Sequence, residues 1–169
     1  MNIILIGMRG SGKTTIGKML AKKLDKQFIE TDNLIEKKAK LATSEIVNKL
    51  GWRKFRDLEQ AVISKISNSN NSVIATGGGA VLRKNNIDTL TKNGYFVLLL
   101  ARVDTMLNRI GNDSNRPFLT GSKSRRVDVE ITLEKREALY RKVADLIVDT
   151  DKNTPADIAK YILTKVKRL

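Results

Sequence analysis

A run near the start of the chain, Gly7-Met8-Arg9-Gly10-Ser11-Gly12-Lys13-Thr14, fits the spacing G-x-x-x-x-G-K-[ST] in full. Glycines so placed let successive backbone N–H groups curl inward toward phosphate oxygens. A helix opening directly after them adds the partial positive charge of its N-terminus at the same point. A lysine at this spacing can bridge the β- and γ-phosphates of a nucleoside triphosphate, and the hydroxyl of Thr14 can sit on magnesium. Gly10, Ser11, Gly12, Lys13, Thr14 and Thr15 are therefore the expected nucleotide contacts. ATP is the expected co-substrate, and a single Mg²⁺ the expected cofactor.

The loop says nothing about what receives the phosphate. For that, the informative residues are charges on stripes that should be apolar. Between Trp52 and Ile66, one helical face reads Trp52, Phe55, Glu59, Val62, Ile66, with Arg56 adjacent to Glu59. Between Val129 and Val143, another reads Val129, Leu133, Arg136, Tyr140, Val143. An arginine in such a stripe either snorkels to the surface or is held for a ligand. Two of them beside a phosphate-binding loop favour the ligand, and guanidinium forks bind carboxylates bidentately.

Two further signals sit where strands should end, which is where open parallel sheets bind ligands. Glu30-Thr31-Asp32 follows one strand-like run and Gly77-Gly78-Gly79 another. An acidic residue at the first can orient an acceptor hydroxyl or hold magnesium through water, and Thr31 or Asp32 can also cap the helix that follows. Three glycines allow close approach of backbone to a ligand. Thr76, not an aspartate, precedes them, so the second magnesium carboxylate of motor and signalling NTPases is missing there.

The elements that must position these residues alternate along the chain. Ile3–Ile6, Phe28–Ile29, Val73–Ala75, Tyr95–Leu100 and Leu146–Val148 read as strands separated by helical patterns, and Thr154-Pro155 opens the last helix. That alternation indicates an α/β fold in three layers, a five-stranded parallel sheet with helices on both faces. With 169 residues and no long Pro- or Gly-rich linker, the chain reads as one domain. The polar stretch from Gly111 to Arg126 has two glycines and one proline, lacks apolar periodicity, and is a candidate mobile lid, with an ordinary flexible loop as the alternative.

Composition excludes some chemistry. The chain has no cysteine and no histidine, so proton transfer must rest on carboxylates, lysine, tyrosine or solvent. Lys and Arg number 32 against 18 Asp and Glu, a net charge of +14 that suits small anions or nucleic acid. Aromatic content is only 5%, and no basic run is interleaved with the aromatics that single-strand stacking requires. No apolar run is long enough for a membrane span, and no leader pattern precedes Asn2, so the expected address is the cytoplasm. A monomer is the simplest expectation, since no sustained heptad appears.

Taken together the segments resemble shikimate kinase, a P-loop kinase family with a nucleoside-monophosphate-kinase-like fold. They are GMRGSGKTT at 7–15, ETD at 30–32, FRDLE at 55–59, GGGAV at 77–81, RP at 116–117 and KREALYRKVAD at 135–145. The resemblance implies transfer of the γ-phosphoryl of ATP to shikimate, with a substrate-binding segment at about 31–60 and a lid at about 111–124. It implies that Asp32 binds ring hydroxyls and serves as base, and that Arg56, Arg136, Gly78 and Gly79 bind shikimate. By the same resemblance Glu59 supports one of the arginines, Arg116 closes over the phosphates, and Arg109 lies near adenine. Lys13, Asp32 and Arg116 are then the catalytic set. The chain departs from the family in carrying Glu30 where Asp is usual, on the water-mediated side of the magnesium. It also reads Asp151-Lys152-Asn153-Thr154-Pro155 where an arginine-rich turn is common. A gluconate-type kinase shares the loop and size but does not require two inward arginines with a triple glycine. A basic NTPase acting on nucleic acid is the alternative from a different class.

Overall fold

The computed structural model describes residues 1–111 and 117–167. Five strands form one parallel sheet in the order β2-β3-β1-β4-β5: β1 Asn2–Ile6, β2 Gln27–Glu30, β3 Ser72–Ala75, β4 Gly94–Leu100 and β5 Leu146–Asp149. All five runs read as strands from sequence lie in it. β1 is central because its five residues are all buried, as expected of an apolar, isoleucine-rich strand covered on both faces. It pairs with β3 in the register Ile4 to Ile74 and with β4 in the register Ile4 to Phe96.

Side chains alternate across β1, and the helices divide accordingly. Ile3 and Leu5 face the layer of α1 (Lys13–Leu24) and α7 (Pro155–Val166), packing with Ile16, Leu20, Ile158 and Ile162. Ile4 and Ile6 face the opposite layer and pack with Ile63, Met106, Val129 and Tyr140. These come from α3 (Thr43–Ile66), α5 (Val103–Ile110) and α6 (Arg125–Val143). Each fully buried aliphatic side chain contributes roughly 1.5–3 kcal/mol against exposure. A third, smaller cluster of Ile35, Ile46, Phe55 and Val62 joins α2 (Thr31–Ala39) to α3. The short α4 (Lys84–Thr91) precedes β4. Among the described residues no helix is long and apolar enough to cross a membrane.

The ends of elements are set by local chemistry. Thr154 caps α7 by accepting from the Asp157 N–H, with Pro155 at the first helical position, as the sequence predicts. Ser124 caps α6 in the same way through Val127 N–H. Gly51 (φ 79°, ψ 165°) breaks α3, so the stripe beginning at Trp52 belongs to a segment with its own axis. The chain leaves β1 toward β2 on one side and later returns to β4 on the other. A crevice therefore opens at the C-terminal end of β1, where such sheets bind ligands.

Candidate active site

The turn after β1 fills that crevice. Gly10 has φ 78°, and a Cβ there would lie 2.8 Å from the Met106 carbonyl oxygen, so both conformation and space demand glycine. α1 starts at Lys13, leaving its first backbone N–H groups directed into the turn. The Lys13 ammonium donates to the carbonyl oxygens of Gly7 and Met8, each at 2.8 Å, and so spans the mouth of the loop. Around it lies a cavity of about 490 Å³ lined by Gly10, Gly12, Lys13, Thr14, Thr15, Arg109, Thr150 and Pro155. Arg109 is fixed at its rim, donating to the Thr150 hydroxyl at 2.9 Å and the Thr150 carbonyl at 2.7 Å.

The end of β2 meets this loop directly. The Thr14 hydroxyl hydrogen-bonds the Glu30 carboxylate, whose other oxygen accepts from Asn33 at 3.0 Å. Thr31 does not cap α2. Its hydroxyl instead accepts from the Gly77 N–H at 2.8 Å and ties the end of β2 to the glycine turn after β3.

That turn accounts for its own glycines. A Cβ on Gly77 would lie 2.5 Å from Asp32 Oδ1 and 2.9 Å from Glu59 Oε1. A Cβ on Gly79 would fall 2.1 Å from Arg56 Nη2, inside the guanidinium. The close approach is thus made first by the protein's own charged side chains. Arg56 donates to both Glu59 oxygens, at 2.9 and 2.8 Å, and its guanidinium lies 5.3 Å from the Trp52 ring centre. Arg136 is 8% exposed, lies close enough to Tyr140 and Glu59 to act on both electrostatically, and makes no ion pair within 4 Å among the described residues. Tyr140 in turn donates to the Gly78 carbonyl.

Arg56, Arg136, Asp32, Gly77–Gly79, Trp52, Phe55, Pro117 and Leu119 enclose a second cavity of about 400 Å³. Arg9, Thr14, Glu30, Asp32 and Gly78 line both cavities. The two spaces therefore meet at the phosphate loop, with a carboxylate at the junction. The arrangement suits an anionic nucleotide on one side and a small carboxylate-bearing alcohol on the other.

The family model for shikimate kinase matches residues 9–167. A shikimate kinase of Thermodesulfovibrio yellowstonii is 41% identical over 168 residues, spanning 99% of this chain and 96% of that protein. The chain belongs to the shikimate kinase family. A solved shikimate kinase from Acinetobacter baumannii, in complex with shikimate, superposes with a TM-score of 0.94 at 34% identity, covering 99% of this chain and 93% of that one. A gluconokinase from Sinorhizobium meliloti, at 21% identity and a TM-score of 0.66 over 99% of this chain and 91% of its own, shares the fold.

Within this shikimate kinase framework, the structure places the residues singled out from sequence as follows. Lys13, Thr14 and Thr15 line the loop cavity, and Glu30 and Asp32 line both cavities. Arg56, Arg136, Gly78 and Gly79 line the second cavity, while Glu59 lies beneath it, wholly buried and holding Arg56 rather than Arg136. Ser11 is buried within the loop. Arg109 is beside the Thr150–Pro155 turn. Arg116 and part of the lid expectation, residues 112–116, lie outside the described residues. Sequence reasoning missed Arg9, Trp52, Pro117 and Leu119 as cavity residues. Of these, Trp52 lay on the charged stripe, and Arg9 and Pro117 lay within the segments that carry the resemblance, while Leu119 carried no signal.

The Glu59 carboxyl is raised above its ordinary value of 4.5, because burial disfavours its charged form and outweighs the opposing pull of Arg56. The folded state then holds this proton to higher pH than the unfolded chain does. The associated stability is complete below the ordinary value and is lost as pH rises through the folded value. Urea midpoints measured from about pH 4 to about pH 8 should decline in the wild type relative to Glu59→Gln, which lacks the titration. Parallel profiles for the two proteins would rule out this contribution.

Proposed function

We propose that the chain transfers the γ-phosphoryl group of ATP to the 3-hydroxyl of shikimate, giving ADP and shikimate 3-phosphate. The carrying observation is the buried Arg136 guanidinium lining a cavity that adjoins the phosphate loop. The buried carboxylate that acts on Arg136, Glu59, is already hydrogen-bonded to Arg56, and a carboxylate entering the cavity adds the negative charge that the two guanidinium groups lack. Arg56, already oriented by Glu59 and stacked beside Trp52, adds a second fork.

In this reading ATP lies along the loop with its phosphates against the backbone N–H groups at the start of α1. Lys13 exchanges the Gly7 and Met8 carbonyls for phosphate oxygens. Asp32 aligns the 3-hydroxyl and takes its proton as the new O–P bond forms and the bond to the ADP oxygen breaks. Arg109 borders the nucleotide's base end. Thr14 and Glu30 offer neighbouring hard oxygen donors, the chemistry magnesium prefers, and we assign the ion to Thr14 directly and to Glu30 through water. When bound, the ion supplies charge neutralisation on the β- and γ-phosphates.

The test is ADP release, followed by a coupled assay, with shikimate, gluconate and a nucleoside monophosphate offered in turn. Shikimate-dependent release exceeding the others by roughly a hundredfold in kcat/KM is expected, because gluconate brings the carboxylate but an open chain in place of the ring, and pocket fit discriminates on about that scale. Equal or greater release with gluconate would overturn the acceptor assignment. Release stimulated by DNA and abolished by salt would point instead to the nucleic-acid alternative.

A further inference from the structure

We propose that Arg9 and Asp128 form a positioning pair that fixes the Pro117–Thr120 segment, and with it the apolar wall of the acceptor cavity, against the phosphate loop. The kinetic effect expected of the pair rests on the acceptor reading above; its geometry does not.

Asp128 stands in the first turn of α6 and is wholly buried. A carboxylate there gains from the helix N-terminus, but that does not require burial, and Ser124 already caps the helix. Its Oδ1 accepts from Leu119 N–H at 2.7 Å, Thr120 N–H at 2.8 Å and the Thr120 hydroxyl at 2.9 Å. Its Oδ2 receives no hydrogen bond among the described residues and faces Arg9 Nη2 at 3.8 Å. Arg9 occupies a position that the loop motif leaves open, so nucleotide binding does not demand a cation there. The same guanidinium donates through Nη1 to the Pro117 carbonyl at 3.2 Å.

The segment is thus gripped at both ends by two charged side chains that also face each other. On its outer side the Arg125 guanidinium lies 4.9 Å from the Phe118 ring centre, an exposed contact worth little by comparison. Pro117 and Leu119 line the acceptor cavity together with Arg56 and Arg136. Holding that wall in place before the acceptor arrives saves the cost of ordering it during binding. Asp128 touches neither cavity and acts only through the residues it holds.

Were Asp128 merely closing a turn, its loss would lower stability and leave Arg9 indifferent to it. The test uses the full chain with Asp128→Asn, Arg9→Met and the double variant. Asparagine keeps an acceptor oxygen for Leu119 and Thr120 while removing the charge that faces Arg9, so folding is preserved. Each single variant is expected to raise the KM for shikimate roughly fivefold, Asp128→Asn with kcat and the thermal midpoint little changed, and the double variant to be no worse than the worse single one. Multiplying effects in the double variant, or a lowered midpoint with unaltered acceptor KM, would overturn the pair. A wild type inactive on shikimate would instead sink the acceptor reading. The pair is then decided by amide exchange: Arg9→Met should speed exchange at Leu119 and Thr120 roughly tenfold, and unchanged protection there refutes it.

Discussion

Lys13→Met should lower kcat on the order of a thousandfold or more while leaving the thermal midpoint nearly where it was. Phosphoryl transfer asks the protein mainly to position the reactants and neutralise charge, and a fixed cation at the transferring group is among the largest single contributions. In the structure the Lys13 ammonium already stands at the loop mouth, held by the Gly7 and Met8 carbonyls at 2.8 Å. It needs only to trade those two acceptors for phosphate oxygens. Methionine preserves the length and the apolar stem but offers no donor. The fold should tolerate it because the loop conformation is set by its glycines and by the packing of Gly10 against α5. Single-turnover phosphoryl transfer at saturating ATP gives the answer directly. A rate within tenfold of wild type would remove Lys13 from the chemistry.

Arg136→Met should raise the KM for shikimate roughly a hundredfold, the scale of about 2–5 kcal/mol for truncating one partner of a buried charged contact. The same substitution should leave the unliganded protein as stable as before or more so. Arg136 is 8% exposed, and the buried carboxylate that acts on it, Glu59, is hydrogen-bonded to Arg56, so its charge is only partly offset before the acceptor binds. Opposite signs for function and stability are what distinguish a ligand-binding arginine from a structural one. Arg136→Lys should lose less, since it keeps the charge but not the fork. A large fall in thermal midpoint on Arg136→Met, with acceptor KM unchanged, would mean that the residue holds the fold together instead.

Much of this was legible from sequence for identifiable reasons. The loop is a motif with fixed spacing, and β1 announces itself as an unbroken apolar run. Glu59 and Arg136 stood out because a charge on a 3.6-residue apolar stripe has few bland explanations. Even the choice of Arg56 as the partner of Glu59 follows from their i,i+3 spacing, which sequence reading left open between Arg56 and Arg136. Other features had no linear signature. The glycine turn reads as an open approach to ligand, yet Gly77 and Gly79 are needed so that Asp32, Glu59 and Arg56 can lie against the backbone. Asp128 looks like any first-turn acid, and its partners, Leu119 in the segment leading into α6 and Arg9 in the phosphate loop, are set by tertiary packing. Tyr140 sits on the stripe like a core aromatic, and the link from its hydroxyl to the Gly78 carbonyl became evident only in three dimensions.

The central claim is that two guanidinium groups beside the phosphate loop recognise the acceptor by its carboxylate. Turnover of shikimate compared with shikimate methyl ester, in wild type and in Arg136→Met, addresses it most directly. Wild type should prefer the free acid by roughly a hundredfold in kcat/KM, as a site built for a charged partner rejects its neutral analogue. In Arg136→Met that preference should shrink to a few-fold, the remainder being due to Arg56. Equal turnover of acid and ester by the wild type would show that the carboxylate is not what the cavity reads.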